Sequence, residues 1–234
     1  MTGFAKLAQV EGKLLLRDPG AIFSMAVPLF ILVIFGSGTG PGDTALPSMS
    51  MTLAVGLVGL YMVPTTLATY RERGILRRMS TTPVSPLALL SVQLILQLVF
   101  ALLASVLLVM VSVVVFQAAL PASVAAMSAA FLLGASAIFA IGLLIAATAA
   151  TGRAANGVGV LLYFPLAFLG GLMQPVESMP ETLAAIGGFT PLGLFRQAIH
   201  DAWSGAATQP LPLAIMAVYA LVIGFVAARF FRWE

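Results

Sequence analysis

The chain has no cysteine, a single histidine and very little charge. The missing cysteines exclude structural disulfides, thiolate metal sites and a cysteine nucleophile. The scarcity of charge excludes more. Charged residues make up 8% of the 234 residues and apolar residues 61%; a soluble domain runs at about 25% and about 45–50%. Eleven basic and eight acidic side chains are too few to cover a soluble protein of this size. A soluble enzyme, a disordered protein and a disulfide scaffold are excluded, and an integral membrane protein remains. No Gly-x-x-x-x-Gly-Lys-Ser/Thr or His-Glu-x-x-His sequence is present, so neither P-loop nucleotide binding nor that zinc chemistry is expected. His200 stands beside Asp201, but one of each does not make a metal site. A structural or neutral role is expected for His200.

What is present is a series of long uncharged runs. A membrane-spanning helix needs about 20 apolar residues. Six runs qualify: 20–38, 48–70, 90–116, 122–150, 155–173 and 211–228. From Val84 to Gly152 no residue carries a charge, which is too long for one span. Gln117-Ala118-Ala119-Leu120-Pro121 divides it. Segments such as Leu102–Val109 are apolar on every side, which excludes the two-residue alternation of a barrel strand. The first run is longer than the core of a cleavable signal, about 7–15 residues, and reads as a retained span. The chain reads as a single all-α transmembrane domain of six helices.

The basic residues orient these spans. Lys6, Lys13, Arg17, Arg71, Arg73, Arg77, Arg78, Arg153, Arg229 and Arg232 fall on one side. Arg196 alone falls on the other, with Asp43, Glu177, Glu181 and Asp201. Both termini are expected in the cytoplasm.

Three connecting segments carry more information. Residues 1–19 place Phe4, Leu7, Leu14 and Leu15 on one helical face and Lys6, Gln9, Lys13 and Arg17 on the other, which predicts an interfacial amphipathic helix. It stops at Asp18-Pro19-Gly20. Residues 71–86 combine four arginines and Glu72 with a small apolar face of Ile75, Leu76 and Met79, then a turn at Thr81-Thr82-Pro83. This connection reads either as a topology determinant or as a docking surface. Residues 174–209 predict two short helices, broken at Gly187-Gly188 and Pro191. They are too short to span and too apolar to float in water, so they are expected to re-enter the outer part of the bilayer or cap the bundle. Gly56 and Gly59, Gly134, Ser136 and Ala140, and Gly170 and Gly171 suit close helix packing.

The predicted spans contain no Asp, Glu, Lys, Arg or His. Ion-driven transporters usually need ionisable or ion-coordinating groups at membrane depth. Gln93 and Gln97, one helical turn apart, are the main polar pair in the spans. They can bond across helices or contact a substrate. Any transport pathway is expected to be apolar, with its energy supplied from elsewhere.

These features together resemble the membrane subunit of a type-2 ATP-binding-cassette (ABC) exporter. The resemblance rests on the arm ending in Leu16-Arg17-Asp18-Pro19, with Pro28 following in span one. It rests on Arg71-Glu72-Arg73-Gly74-Ile75-Leu76-Arg77-Arg78 followed by Thr82-Pro83-Val84-Ser85-Pro86. It rests also on Gly171-Leu172-Met173-Gln174-Pro175, Met179-Pro180-Glu181 and Thr190-Pro191 through Arg196. It implies the type-2 exporter fold, two paired permease chains (identical or paralogous), and two ATPase subunits docked below. ATP and Mg would belong to the partner, and this chain would bind no cofactor and no nucleic acid. It implies a bacterial cytoplasmic membrane setting, with lipid around the chain.

The resemblance further implies an ATPase-coupling set of Arg71, Glu72, Arg73, Gly74, Ile75, Leu76, Arg77, Arg78, Met79, Thr82, Pro83 and Arg153. In it Glu72 and the arginines would bond to the ATPase. Spans two and five would line the pathway, offering Tyr61, Met62, Pro64, Thr65, Tyr163, Phe164, Phe168 and Met173, with Gln93 and Gln97 as polar additions. Such side chains suit large hydrophobic substrates, drug-like or lipid. A polysaccharide or glycolipid exporter is the alternative within the family. A membrane assembly or channel subunit without an ATPase is the alternative outside it.

Overall fold

The computed structural model describes residues 3–75, 86–206 and 209–230. No strand occurs among them. Helix α1 (Gly3–Leu15) forms the N-terminal arm, and α2 (Pro19–Gly36) follows. The second run is built from α3 (Ala45–Leu57), a π-helical turn (Val58–Met62) and α4 (Val63–Glu72). Then come α5 (Pro86–Phe116), α6 (Val124–Thr148) and α7 (Gly152–Leu169). A 3-10 turn (Val176–Ser178) leads to α8 (Glu181–Gly187), α9 (Pro191–Ser204) and α10 (Pro210–Phe230). Six segments are long and apolar enough to cross a membrane: Pro19–Gly36, Ala45–Glu72, Ala88–Phe116, Val124–Thr148, Gly152–Leu169 and Pro210–Phe230.

Local chemistry sets the helix ends. Asp18 caps α2 by accepting from the Gly20 amide at 2.8 Å, with Pro19 at the first helical position. Ser123, Thr151 and Thr190 cap α6, α7 and α9 in the same way. Each satisfies an amide that the helix itself leaves unpaired. The second span starts earlier than the apolar run suggests, at Ala45, where the Asp43 carboxylate accepts from the Leu46 amide. The fifth ends earlier, at Leu169, because Gly170 caps it and Gly171 turns the chain at φ 74°.

The second span is the axis of the bundle. Leu53, Val55, Val58, Leu60, Val63 and Leu67 are all buried, and α2, α5, α6, α7 and α9 pack around them. Pro64 explains the π turn: it offers no amide to the carbonyl of Leu60, and its ring crowds that carbonyl. Wider π geometry accommodates both. Glycines bring α6 and α7 against this stretch. A methyl group at Gly159 would lie 1.9 Å from the Leu60 carbonyl oxygen, and one at Gly142 would lie 2.0 Å from that of Gly59. No side chain fits at either place.

The outside is apolar. Phe30 of α2, Leu103 and Val114 of α5, Leu161 of α7, and Leu221 and Phe225 of α10 are exposed, as a lipid-facing surface requires. Helix α9 is different: Leu192, Phe195, Ile199 and Trp203 are buried between α3, α6, α7 and α10. At 18 residues α7 rises about 27 Å, and α9 fills the bundle beyond its end. The Trp203 indole donates to the Ala119 carbonyl at 2.7 Å, fixing α9 to the turn between α5 and α6.

Helix α1 forms along Gly3–Leu15, where the sequence reading placed the N-terminal helix. Its inward face holds Glu11, which is 7% exposed, while Leu14 is 53% exposed. The helix docks on the bundle through a carboxylate, which hydrogen bonds make tolerable there.

Candidate functional site

Most of the basic residues gather at one end of the bundle, and the structure there is tied together by polar contacts. Gly74, at φ 64°, ends α4 in the left-handed conformation that glycine tolerates best. The two residues before Arg73 point to different helices. The Arg71 guanidinium donates through Nη1 to the Ala147 carbonyl at 3.0 Å and through Nη2 to the Ala149 carbonyl. Both carbonyls belong to the C-terminal end of α6, where a cation is favoured by the helix dipole. The Glu72 carboxylate accepts from the Gly152 amide at 2.8 Å. That amide opens α7, where an anion is favoured. Adjacent residues of opposite sign thus hold the two ends of one turn. Gly152 sits so close that a methyl group there would lie 2.0 Å from Thr69 Oγ1. Arg153 is exposed beside it.

A second cluster lies across α4. The Tyr70 hydroxyl donates to Glu11 Oε2 at 2.6 Å. Gln93 Nε2 donates to the same oxygen and to the Tyr70 hydroxyl, the latter at 3.0 Å. The cluster joins α1, α4 and α5. Gln93 is therefore a cross-helix link. Gln97 is 1% exposed, and neither of its amide atoms has a partner among the described residues.

The expected coupling residues thus divide. Arg71, Glu72 and Arg153 come together at the α6–α7 turn. Arg71 and Glu72 spend their polar groups on this chain's own backbone, although the resemblance had them reaching outward. Arg73 borders a cavity beside α1, and Gly74 and Ile75 are partly buried. Leu76, Arg77, Arg78, Met79, Thr82 and Pro83 lie outside the described residues.

The expected pathway residues do not share one surface in the single chain. Tyr61 is partly buried, its ring 5.5 Å from that of Phe23. Met62 and Pro64 are buried in the bundle axis. Tyr163 is buried against the position of Gly56, and its ring meets that of Phe164 edge-on at 5.7 Å. Phe164 itself is 54% exposed. Phe168 and Met173 are partly buried. Among the described residues, Thr65 and Gln93 line a common cavity of about 390 Å3 between α1, α4 and α5.

The opposite end is tied as well. Gly42 and Ala119 exchange backbone bonds with Gln117 and Asp43, and Ala122 donates to the Trp203 carbonyl. Arg196 Nε donates to the Gly170 carbonyl at 2.7 Å, and His200 Nδ1 lies 3.3 Å from that of Thr44. Burial raises the Asp201 carboxyl above its ordinary range, with His200 and Arg196 opposing. No group of three or more metal-ligating side chains occurs among the described residues.

Sequence reasoning missed Glu11, Tyr70 and Thr69 as site residues. Glu11 carried a signal, since it sits four residues from both Leu7 and Leu15 and so on their face.

Six long apolar helices, the second of them a buried axis, define a multi-pass membrane protein. The chain belongs to the ABC-2 type transporter family, whose model matches residues 3–203. No curated protein matches the chain. The family makes this the membrane subunit of its transporter.

Proposed function

We propose that this chain is the permease subunit of an ATP-driven exporter, working with a separate ATPase and a second permease chain. Its substrates are hydrophobic small molecules or lipids. The basic end faces the cytoplasm, by the distribution of Lys and Arg, and the membrane is the bacterial inner membrane. The observation that carries this reading is the Arg71–Glu72 clasp on the α6–α7 turn. It joins two basic-end connections into one face, so force applied to either is shared between span two and spans four and five. A transporter driven from outside its membrane domain needs such a link. In this arrangement Arg71 and Glu72 position the coupling surface, and Arg73, Arg153 and residues 75–83 meet the ATPase. ATP and Mg are held by that partner. Substrate movement follows spans two and five, where Tyr61, Thr65, Tyr163 and Phe164 become the pathway once two chains pair.

The test is a mild-detergent pull-down from native membranes with partners identified by mass spectrometry. A stoichiometric P-loop ATPase is expected. A folded, abundant chain without one would sink the reading and favour a membrane assembly or channel subunit.

A further inference from the structure

A cleft of about 420 Å3 opens between α5 and α6 on the lipid-facing side of the bundle. Helix α5 packs on α3, whereas α6 packs on α9 and α10, which leaves room between the two. Met51 of α3 and Phe131 of α6 form a buried floor, and Leu102, Val106, Met110 and Leu132 an exposed mouth. Its lining among the described residues carries no charge, and Ser105 and Ser128 are its polar side chains. The hydroxyls of Ser112, Ser128 and Ser136, on the same two helices, donate to the carbonyl four residues earlier at 2.8, 2.8 and 2.6 Å. The Ser105 hydroxyl is 1% exposed and has no partner among the described residues. An unpaired polar group in hydrocarbon is costly, so an occupant that brings an acceptor is favoured. By helix rise, Ser105 lies roughly 25 Å from Ala88 and roughly 16 Å from Phe116, the ends of the third span. Half of the hydrocarbon core is about 15 Å, so the ester groups of membrane lipids, at the interface, do not reach this hydroxyl. A buried water needs about two to four polar partners, and the cleft offers one unpaired group.

We propose that this cleft is a lateral binding site for a neutral apolar molecule that carries a ketone within its body. One carbonyl acceptor pairs with the one unpaired donor and adds no donor of its own. An alcohol would leave one hydrogen unpaired, and a charged group would find no counter-charge. Met51, Met110 and Met127 line the cleft; thioether side chains adapt to varied shapes and favour aromatic rings, so an aryl-bearing ketone fits. The volume falls within the range of ligand pockets, about 300–1,000 Å3. The exposed mouth admits the molecule directly from the bilayer, and Met51 brings it against span two of the proposed pathway. As a site for a transported molecule it rests on the permease reading and names the substrate class for it.

The experiment uses the full chain in lipid nanodiscs and three diazirine probes: an arylalkyl ketone, the matching hydrocarbon with a methylene in place of the carbonyl, and a phospholipid labelled in its acyl chain. Crosslinked peptides are mapped by mass spectrometry. The ketone is expected to label residues 98–110 and 127–132 saturably and to displace the phospholipid probe there. The hydrocarbon is expected to label them about fivefold more weakly, the loss of one neutral hydrogen bond. Ser105→Ala is expected to bring the ketone down to the level of the hydrocarbon and to leave the hydrocarbon unchanged. Leu102→Trp, at the exposed mouth, is expected to fill the cleft and abolish labelling by both. Equal labelling by ketone and hydrocarbon, a phospholipid that the ketone does not displace, or ketone labelling unchanged in Ser105→Ala overturns the proposal. An ATPase partner without ketone selectivity overturns the site and leaves the permease standing. Ketone-selective labelling in a chain that captures no ATPase overturns the permease and the transport role of the site with it.

Discussion

Glu72 spends its charge on a single backbone amide, and that choice can be measured. Glu72→Ala removes the bond to Gly152, and by analogy with helix caps the cost is about 0.5–2 kcal/mol. Substrate-stimulated ATP hydrolysis in the reconstituted complex is expected to fall while membrane insertion stays intact; unchanged stimulation would remove the clasp from the mechanism. Glycine substitutions give a second, internally controlled prediction. Gly159→Ala and Gly142→Ala place a methyl group against a backbone carbonyl, whereas Gly157 has nothing within 4 Å. The first two are expected to lower the melting temperature in detergent, by overpacking of about 1–3 kcal/mol. Gly157→Ala is expected to hold or raise it. Equal effects at all three positions would refute the close approach.

Asp201 makes a third prediction. Burial raises its carboxyl, so the folded chain binds this proton more tightly than the unfolded chain does. Its contribution to stability is greatest below the ordinary carboxylate range and is lost as pH rises through the raised value. Asp201→Asn is therefore expected to stabilise the protein at neutral pH, with the gain shrinking in acid. Thermal unfolding from pH 4 to 7.5 reads it. Among single residues, then, the long-range partners were the least legible in sequence. Arg71 and Glu72 bind backbone atoms, and a backbone acceptor 76 or 78 residues away leaves no mark in composition or spacing. Glu11 was legible in principle, but an acidic residue in an apolar stripe is easily assigned to the solvent side.

Elements were easier to read than residues. Charge-free runs marked the six long helices, whereas the caps Asp18, Ser123, Thr151 and Thr190 are evident only in the structure. The break at 117–121 was visible because Pro121 and the polar Gln117 interrupt an otherwise unbroken apolar run. The depth of α9 was not. Its spacing of Leu192, Phe195 and Ile199 gives an apolar face, but the same pattern serves a surface cap and a buried wedge. Phe195 at the Gly134 position and Trp203 on Ala119 place it inside. Trp203→Phe keeps most of the ring and deletes the bond to Ala119. A loss of about 1 kcal/mol, with faster proteolysis between α9 and α10, is expected; an unchanged cleavage rate would mean that α9 is held by packing alone.

At the scale of the whole molecule, composition alone decided that the chain lives in a bilayer, and the family match says what kind of membrane subunit it is. Substrate chemistry was not legible at that scale, because an apolar exterior serves any transported molecule. The clasp at the basic end also has a consequence in time. The chain is made from its N-terminus, and when Arg71 first leaves the ribosome, Ala147, Ala149 and Gly152 have not been synthesised. During that interval the guanidinium is a bare positive charge at the end of a freshly inserted span, able to hold that end on the side of synthesis. Only when the fourth and fifth spans arrive does it find its carbonyls. In the proposed orientation, with the basic end in the cytoplasm, one side chain serves first as a signal for insertion and later as a joint in the finished protein.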